Sequence, residues 1–338
     1  MSPRAKWIAV AMVAAVAFGA AGATAVAAWQ SSDQRRSGPS AVDTAAGEWG
    51  SGPRIVFRNT AAGAAYGHVA SVELEDPSGP RALADVQCDR VDAVDDFYAC
   101  LRADRGIAPS YSATVYRTDG EVLAQWPLAG IPSRTRISDD GTLVATTAFV
   151  GGHSYAGGSF STETVIRAVD GAVVGNLEEF DLIVDGAVIA PADRNYWGVT
   201  FAGDGTFYAT VRTGDRTSLV KGDAQRRTLV EVAADVECPS LSPDGTRIAF
   251  KRATAGSGET VHWTPAVMTL ASGEVELLPE RRSVDDQIEW LDDDTILYGM
   301  PHADVAGDSD VWALRADGTA EPVMLVPHAW SPSVVTED

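Results

Sequence analysis

The sequence is poor in cysteine, poor in cations and free of the short motifs that mark metal or phosphate chemistry. Three cysteines occur in 338 residues and none precedes Cys88, which excludes a lipid on an N-terminal cysteine. Lys and Arg number 26 against 47 Asp and Glu, for a net charge of −21. A binder of phosphate backbones needs clustered cations, so nucleic acid is not an expected partner. Acidity of this kind serves solubility rather than forming an acidic binding surface. There is no His-Glu-x-x-His, no paired Cys-x-x-Cys and no Gly-Lys-Ser/Thr loop. No metal and no cofactor is therefore expected.

A long apolar run stands at the front. Trp7 to Trp29 is uncharged and follows Arg4 and Lys6, which suits an export segment with its basic end held in the cytoplasm. Residues 1–29 are read as a signal-anchor helix, or as a cleaved signal with Ala23-Thr24-Ala25 as the peptidase site. The remainder then lies outside the cytoplasm, tethered to the cell membrane by a single pass or, after cleavage, secreted. Residues 30–52, small and polar with no sustained period, read as a flexible linker spanning roughly 25 Å.

What the rest of the chain has in abundance is a hairpin. Val236 to Arg252, VECPSLSPDGTRIAFKR, places two β-rich runs around a Ser-Pro-Asp-Gly corner, where Gly245 supplies the positive φ of a tight reversal. Related hairpins run from Val86 to Leu101 around Val94-Asp95, and from Arg136 to Phe149 around Asp140-Gly141. Two more run from Trp197 to Val211 around Asp204-Gly205, and from Ile288 to Gly299 around Asp293-Asp294. Each is followed by a second turn, at Asp119-Gly120, Asp170-Gly171, Gly222-Asp223, Ser272-Gly273 and Asp317-Gly318, while Pro77-Ser78-Gly79 supplies one before the first complete repeat. The unit is four strands.

The two ends of the chain complete each other. His328-Ala329-Trp330-Ser331-Pro332 matches the run-up to Ser242-Pro243 and stops, while Arg54-Ile55-Val56-Phe57 matches Arg247-Ile248-Ala249-Phe250 without an inner strand before it. A C-terminal strand joining the first blade closes a ring and removes the exposed sheet edges of an open array. Residues 53–338 shared among six blades give about 48 each, near the range of propeller repeats. The fold expected is all-β, a six-bladed β-propeller of four-stranded blades. A pair of β-sandwiches would not explain why the last strand completes the first repeat.

LSPDGTRIAF, ISDDGTLVAT and FAGDGTFYAT resemble the inner hairpins of TolB-type β-propellers, and the resemblance covers 53–338. TolB proteins of Gram-negative envelopes use the mouth of the propeller channel to bind a lipoprotein, which implies a binding scaffold here. This chain has only a tether where TolB carries an N-terminal α/β domain, and in that it is more similar to membrane-anchored, TolB-like single propellers.

Shifting the sequence by 150 residues, about three repeats, sets Cys88 on Cys238 and puts Cys88 opposite Cys100 across one hairpin, within disulfide reach. Export permits that bond. Cys238 lies opposite Phe250 and reads as a buried thiol.

The Gly151 to Gly158 run, GGHSYAGG, has the look of a hydrolase nucleophile elbow. An elbow needs a helix after it, whereas Ser159 to Val169 is strand-like and ends at a turn, so a loop is the better reading. The Asp residues of the turns are explained by turn chemistry.

In a propeller the loop after each second strand and the lead-in to each first strand share one face. His68, His153, His262, His302 and His328 all sort to it. With Tyr155 and the lead-in residues Arg134, Arg136, Arg194, Asn195, Tyr196, Trp197, Glu237, Asp286 and Gln287, they form the expected binding mouth, a mixed-charge surface with aromatic anchors suited to a protein, a peptide, an envelope glycan or another cell-envelope component. A monomeric, non-enzymatic binding scaffold is expected. The alternative is a propeller hydrolase or lyase, metal-assisted at the same mouth.

Overall fold

The recurrence of the Asp-Gly corner has a local cause. At Ser242–Arg247 the Ser242 hydroxyl donates to Asp244 Oδ1 (2.6 Å), and the same oxygen accepts from the Thr246 amide (2.9 Å) and hydroxyl (2.8 Å). Gly245 sits at φ 69°, a conformation that costs a glycine little. Ser138, Asp140, Gly141 and Thr142 repeat the arrangement. Bonds from Ser242 and Thr246 hold the Asp244 carboxyl below its usual range. These aspartates build turns, as expected.

The structure, a computed structural model, describes residues 35–45, 52–106, 108–151 and 161–336. Contacts divide it into two units, one holding Met1–Val42 with Ala61–Tyr66, the other Asp43–Thr60 with Gly67–Asp338. In the first, the Gly63 amide donates to the Arg35 carbonyl (2.7 Å) and the Arg35 guanidinium stacks over Tyr66.

The second unit is the propeller. Its blades, inner strand first, begin at Ala329–Val335 (blade one), Arg90–Val94 (two), Ile131–Ile137 (three), Asn195–Phe201 (four), Glu237–Leu241 (five) and Glu289–Asp292 (six). Each inner strand neighbours the next, and blade six returns to blade one. The four repeat strands of each blade pair antiparallel, and apolar layers between blades form the core. Ile55, Phe57, Leu297 and Val311, for example, share one cluster between blades one and six.

Ring closure is as the termini implied. Ala329–Val335 pairs antiparallel with Arg54–Asn59, Ile55 opposite Val334 and Arg58 opposite Trp330, and the sheet runs on through His68–Glu73 and Ala82–Gln87. The closing strand also reaches blade two: the Ser331 hydroxyl donates to the Val91 carbonyl (3.0 Å), and the Ala93 amide donates to Ser333 Oγ (2.9 Å).

Three details correct the sequence reading. Blade four has six strands rather than four, because Asp181–Val184 and Ala187–Ile189 form an extra hairpin whose first strand runs parallel to Thr228–Ala234. Leu177, Phe180 and Leu182, all nearly fully buried, pin that hairpin to the core. Gly222-Asp223 is not a turn but the end of Arg216–Asp223. The chain reverses after it, with Asp223 opposite Thr228 and Arg227 at φ 55°. Gly222 is glycine for packing, since a Cβ there would lie 2.1 Å from the Phe207 ring.

The third correction concerns register around the disulfide. Cys88 and Cys100 are bonded, with Cα atoms 5.4 Å apart, and Cys238 is a free, buried cysteine. The hairpin, however, reverses at Asp95-Asp96, so Val91 rather than Cys88 is the ladder partner of Cys100. Cys88 reaches its partner from just before the inner strand, where Asp89 donates its amide to the Leu101 carbonyl. Replacing both cysteines by serine is expected to lower stability by about 2–3 kcal/mol for so short a loop, read by urea unfolding of the two proteins.

The segment 1–29 lies outside the described residues. No helix among the described residues is long and apolar enough to cross a membrane. Within 30–52, Asp43 and Ala45 exchange backbone hydrogen bonds with Arg81 (3.0 and 2.8 Å).

Candidate functional site

Side chains alternate along a strand, and on the innermost strands every second one faces the propeller axis. Inner strands of blades two and three carry charge at those positions: Arg90 and Asp92, then Arg134 and Arg136. All four are largely withdrawn from solvent, with Arg134 and Arg136 each 9% exposed and Asp92 4%.

Their partners lie across the ring. Arg136 Nη1 donates to Asp92 Oδ1 (3.2 Å) and to the Glu289 carboxylate, and Nη2 donates to the Ile288 carbonyl (3.2 Å) and to Ser240 Oγ (3.4 Å). With its amide oxygen turned inward, Gln287 accepts from Arg136 Nη2 (2.7 Å) and Nε (3.1 Å). Arg90 Nη1 reaches Asp286 Oδ1 (2.7 Å), and its guanidinium covers the Trp330 ring (4.9 Å). Arg134 lies beside Cys238 with Asp285 and Asp286 nearby. Guanidinium groups from blades two and three thus tie down blades five and six, and the axis is bridged by arginine side chains.

One guanidinium between two carboxylates leaves a shortage of positive charge. Burial pushes the Asp92 carboxyl up to about 7 although Arg136 pulls it down, and Glu289 adds to the rise. For Arg136 burial acts to lower the pKa, and the two carboxylates outweigh it, so the guanidinium holds its proton more tightly than usual.

Above this layer lie Lys251, paired with Asp285 and stacked on Trp263 (4.4 Å), and Glu237, its cross-strand partner, whose carboxyl is raised by burial. On the same face, the His302 ring lies between Asp310 Oδ2 (Nε2, 2.7 Å) and Asp308 Oδ2 (Nδ1, 3.4 Å), while His328 Nδ1 approaches Asp308 Oδ2 (2.9 Å). The His328 amide donates to Asp310 Oδ1 (2.8 Å), the Thr60 hydroxyl donates to Asp308 (2.9 Å), and Arg81 donates to the Pro327 and His328 carbonyls. Burial lowers Arg81 to about 10, against the pull of Asp308 and Asp310. The cluster clasps the start of the closing strand. Among the described residues no three His, Cys, Asp or Glu groups stand placed to hold a metal ion.

The residues singled out from sequence divide accordingly. Arg134, Arg136, Glu237, Asp286 and Gln287 line the axis or its rim, and Asp286 is locked by Arg90 and the Gly299 amide (3.0 Å). Asn195, 3% exposed, accepts from the Thr162 amide (3.0 Å). Trp197 is buried on the same strand. Tyr196, one place on, points the other way into the core between blades three and four. Arg194 is spent on the Glu178 and Pro191 carbonyls. His68 and His262 begin third strands, and His302 and His328 form the clasp. His153 and Tyr155 lie outside the described residues.

Arg90, Asp92, Lys251, Asp285, Glu289, Asp308 and Asp310 were missed. The signal that marked Arg90 and Asp92 was charge at every second position of an otherwise buried strand.

Solved structures of similar fold include TolB from Acinetobacter baumannii, 15% identical with a TM-score of 0.59 over 85% of this chain and 67% of that one. A chain of a nidogen/laminin complex is 11% identical with a TM-score of 0.55, over 84% of this chain and 98% of that one. An oligogalacturonate lyase in complex with manganese, 12% identical, reaches a TM-score of only 0.47, too distant to bear on chemistry. At these identities the likeness is one of fold. No family model matches the sequence, and no curated protein matches it.

Proposed function

We propose that this chain is an extracytoplasmic propeller scaffold, held at the membrane by its N-terminal segment, that binds a protein at the mouth of its channel. The observation that carries this reading is the arginine layer bridging the axis. It gives the mouth a fixed floor, so the loops and strand lead-ins around it present a concave recognition surface rather than a through-passage. Preorganised concave sites with buried charged and aromatic groups suit partner recognition. The likeness to TolB, whose family binds a lipoprotein at this place, agrees with it.

The test is a photo-crosslinker placed at His262 or Asp285 on the mouth face, and at Asp140 or Asp244 on the opposite turns, in native cells. The expected result is one protein partner recovered from both mouth positions and from neither turn. Equal recovery from the two faces, or none, would overturn the reading. A second reading is metal-assisted hydrolysis or elimination at the same mouth, though no metal-holding group stands among the described residues. Stoichiometric metal in the purified chain, whose removal abolishes an activity, would replace the scaffold with that enzyme.

A further inference from the structure

Arg134 differs from the other buried cations of the axis. Arg90 has Asp286, Arg136 has Asp92 and Glu289, and Lys251 has Asp285. Among the described residues Arg134 has no ion pair. Its Nη1 donates to the carbonyl of its own neighbour Ser133 (2.9 Å), the guanidinium also bonds the Cys238 side chain, and its Nε is buried with no acceptor. A withdrawn guanidinium with unspent donors is costly unless an acceptor reaches it.

The local charge has the same sense. Around Arg134 the mouth balances three cations, Arg90, Arg134 and Lys251, against three carboxylates, Glu237, Asp285 and Asp286. In a chain of net charge −21 such a balanced patch is locally rich in positive charge, and planar guanidinium donors match a carboxylate in geometry.

Which carboxylate is decided by the tryptophans. A sugar ring is held by stacking on an open aromatic face, but Trp330 is covered by Arg90, Trp263 by Lys251, and Trp197 is only 5% exposed. We infer that Arg134 is the anchoring residue of the mouth and that its ligand is a peptide carboxylate, a C-terminus or an acidic side chain, inserted along the propeller axis. This rests on the scaffold reading and names what that scaffold grips.

The experiment follows the Arg134 Nε–H resonance in the isotopically labelled full chain, assigned by its absence in Arg134→Lys. The chain is titrated with acetate, with a hexapeptide library bearing free C-termini and acidic residues, with the same library amidated and stripped of acidic residues, and with glucuronate. Movement of the resonance with acetate and the acidic library, and not with the neutral library, is expected. Retention of the acidic library should fall at least tenfold in Arg134→Gln and less in Arg134→Lys. A resonance unmoved by acetate and by the acidic library overturns the inference, and so does one moved by glucuronate but by neither library, which would point to an acidic glycan. The wild-type titration keeps the test valid even if a variant fails to fold. Crosslinking from His262 separates the two proposals: a partner recovered equally from wild type and a folded Arg134→Gln chain keeps the scaffold and removes the carboxylate anchor.

Discussion

A chain ending at Pro327 unfolds at a lower temperature than the full protein and self-associates. Removing residues from His328 onward deletes the inner strand of blade one, with its ladder to Arg54–Asn59. It also removes the hydroxyls of Ser331 and Ser333 that bind the main chain of blade two, and the Val334 amide that donates to Glu289 Oε1 (3.2 Å). Trp330 is only half-buried, resting on the Gly299 backbone beneath the Arg90 guanidinium. The loss therefore falls on the strand rather than on one aromatic side chain. Several hydrogen bonds at about 1 kcal/mol each, together with burial of Ala329 and Val335, make a loss on the order of 5 kcal/mol or more. That corresponds to a fall in Tm of roughly 10 °C or more in a domain of this size. Arg54–Asn59 becomes an open edge, which invites pairing between chains. Thermal unfolding and gel filtration of the truncated chain check both parts, and an unchanged Tm with a monomeric profile would mean the ring closes elsewhere.

Arg136→Met removes the charge at the centre of the axial layer while keeping the length of the stem. Asp92 and Glu289 are then left with no guanidinium between them, and breaking a buried pair in this way costs about 3–5 kcal/mol. The penalty depends on pH. The folded pKa of Asp92 is already raised above its value in an unfolded chain, so the folded state holds the extra proton. Its contribution is fully present below about pH 4 and is lost as pH rises to about 7. The wild-type chain is expected to lose stability across that window by up to about 1.4 kcal/mol per pH unit from this group. In Arg136→Met the downward pull on Asp92 is gone, so the decline should extend to higher pH, and adding Asp92→Asn should restore part of the loss at pH 8. Urea unfolding of the three proteins between pH 5 and 8 measures this. A penalty that is the same at both ends, with no rescue, would show that the layer is not electrostatically coupled.

How much of this was legible follows from the range of each interaction. The Ser242-to-Thr246 turn is made by groups within five residues of one another, so the sequence carries it whole, and its repetition gave six blades and the closing strand. The Cys88–Cys100 bond was readable for the same reason, though its register was not, because the two-residue reversal at Asp95-Asp96 shifts the ladder relative to a turn centred on Val94. Gly222 misled because one letter serves two needs, a positive φ in one place and room for Phe207 in another. The extra hairpin of blade four was invisible because its pairing with Leu229 is parallel and skips most of a blade. Arg136 meets Asp92 from 44 residues away and Glu289 from 153, and His302 and His328 meet around Asp308 and Asp310. The sequence by itself determined the repeat and the strand count of most blades, since local turn geometry and period-two alternation set those. Only the tertiary structure decided which charges neutralise one another and that Arg134 is left without an ion pair among the described residues, because closing the ring sets the distances across its axis and no local pattern encodes them.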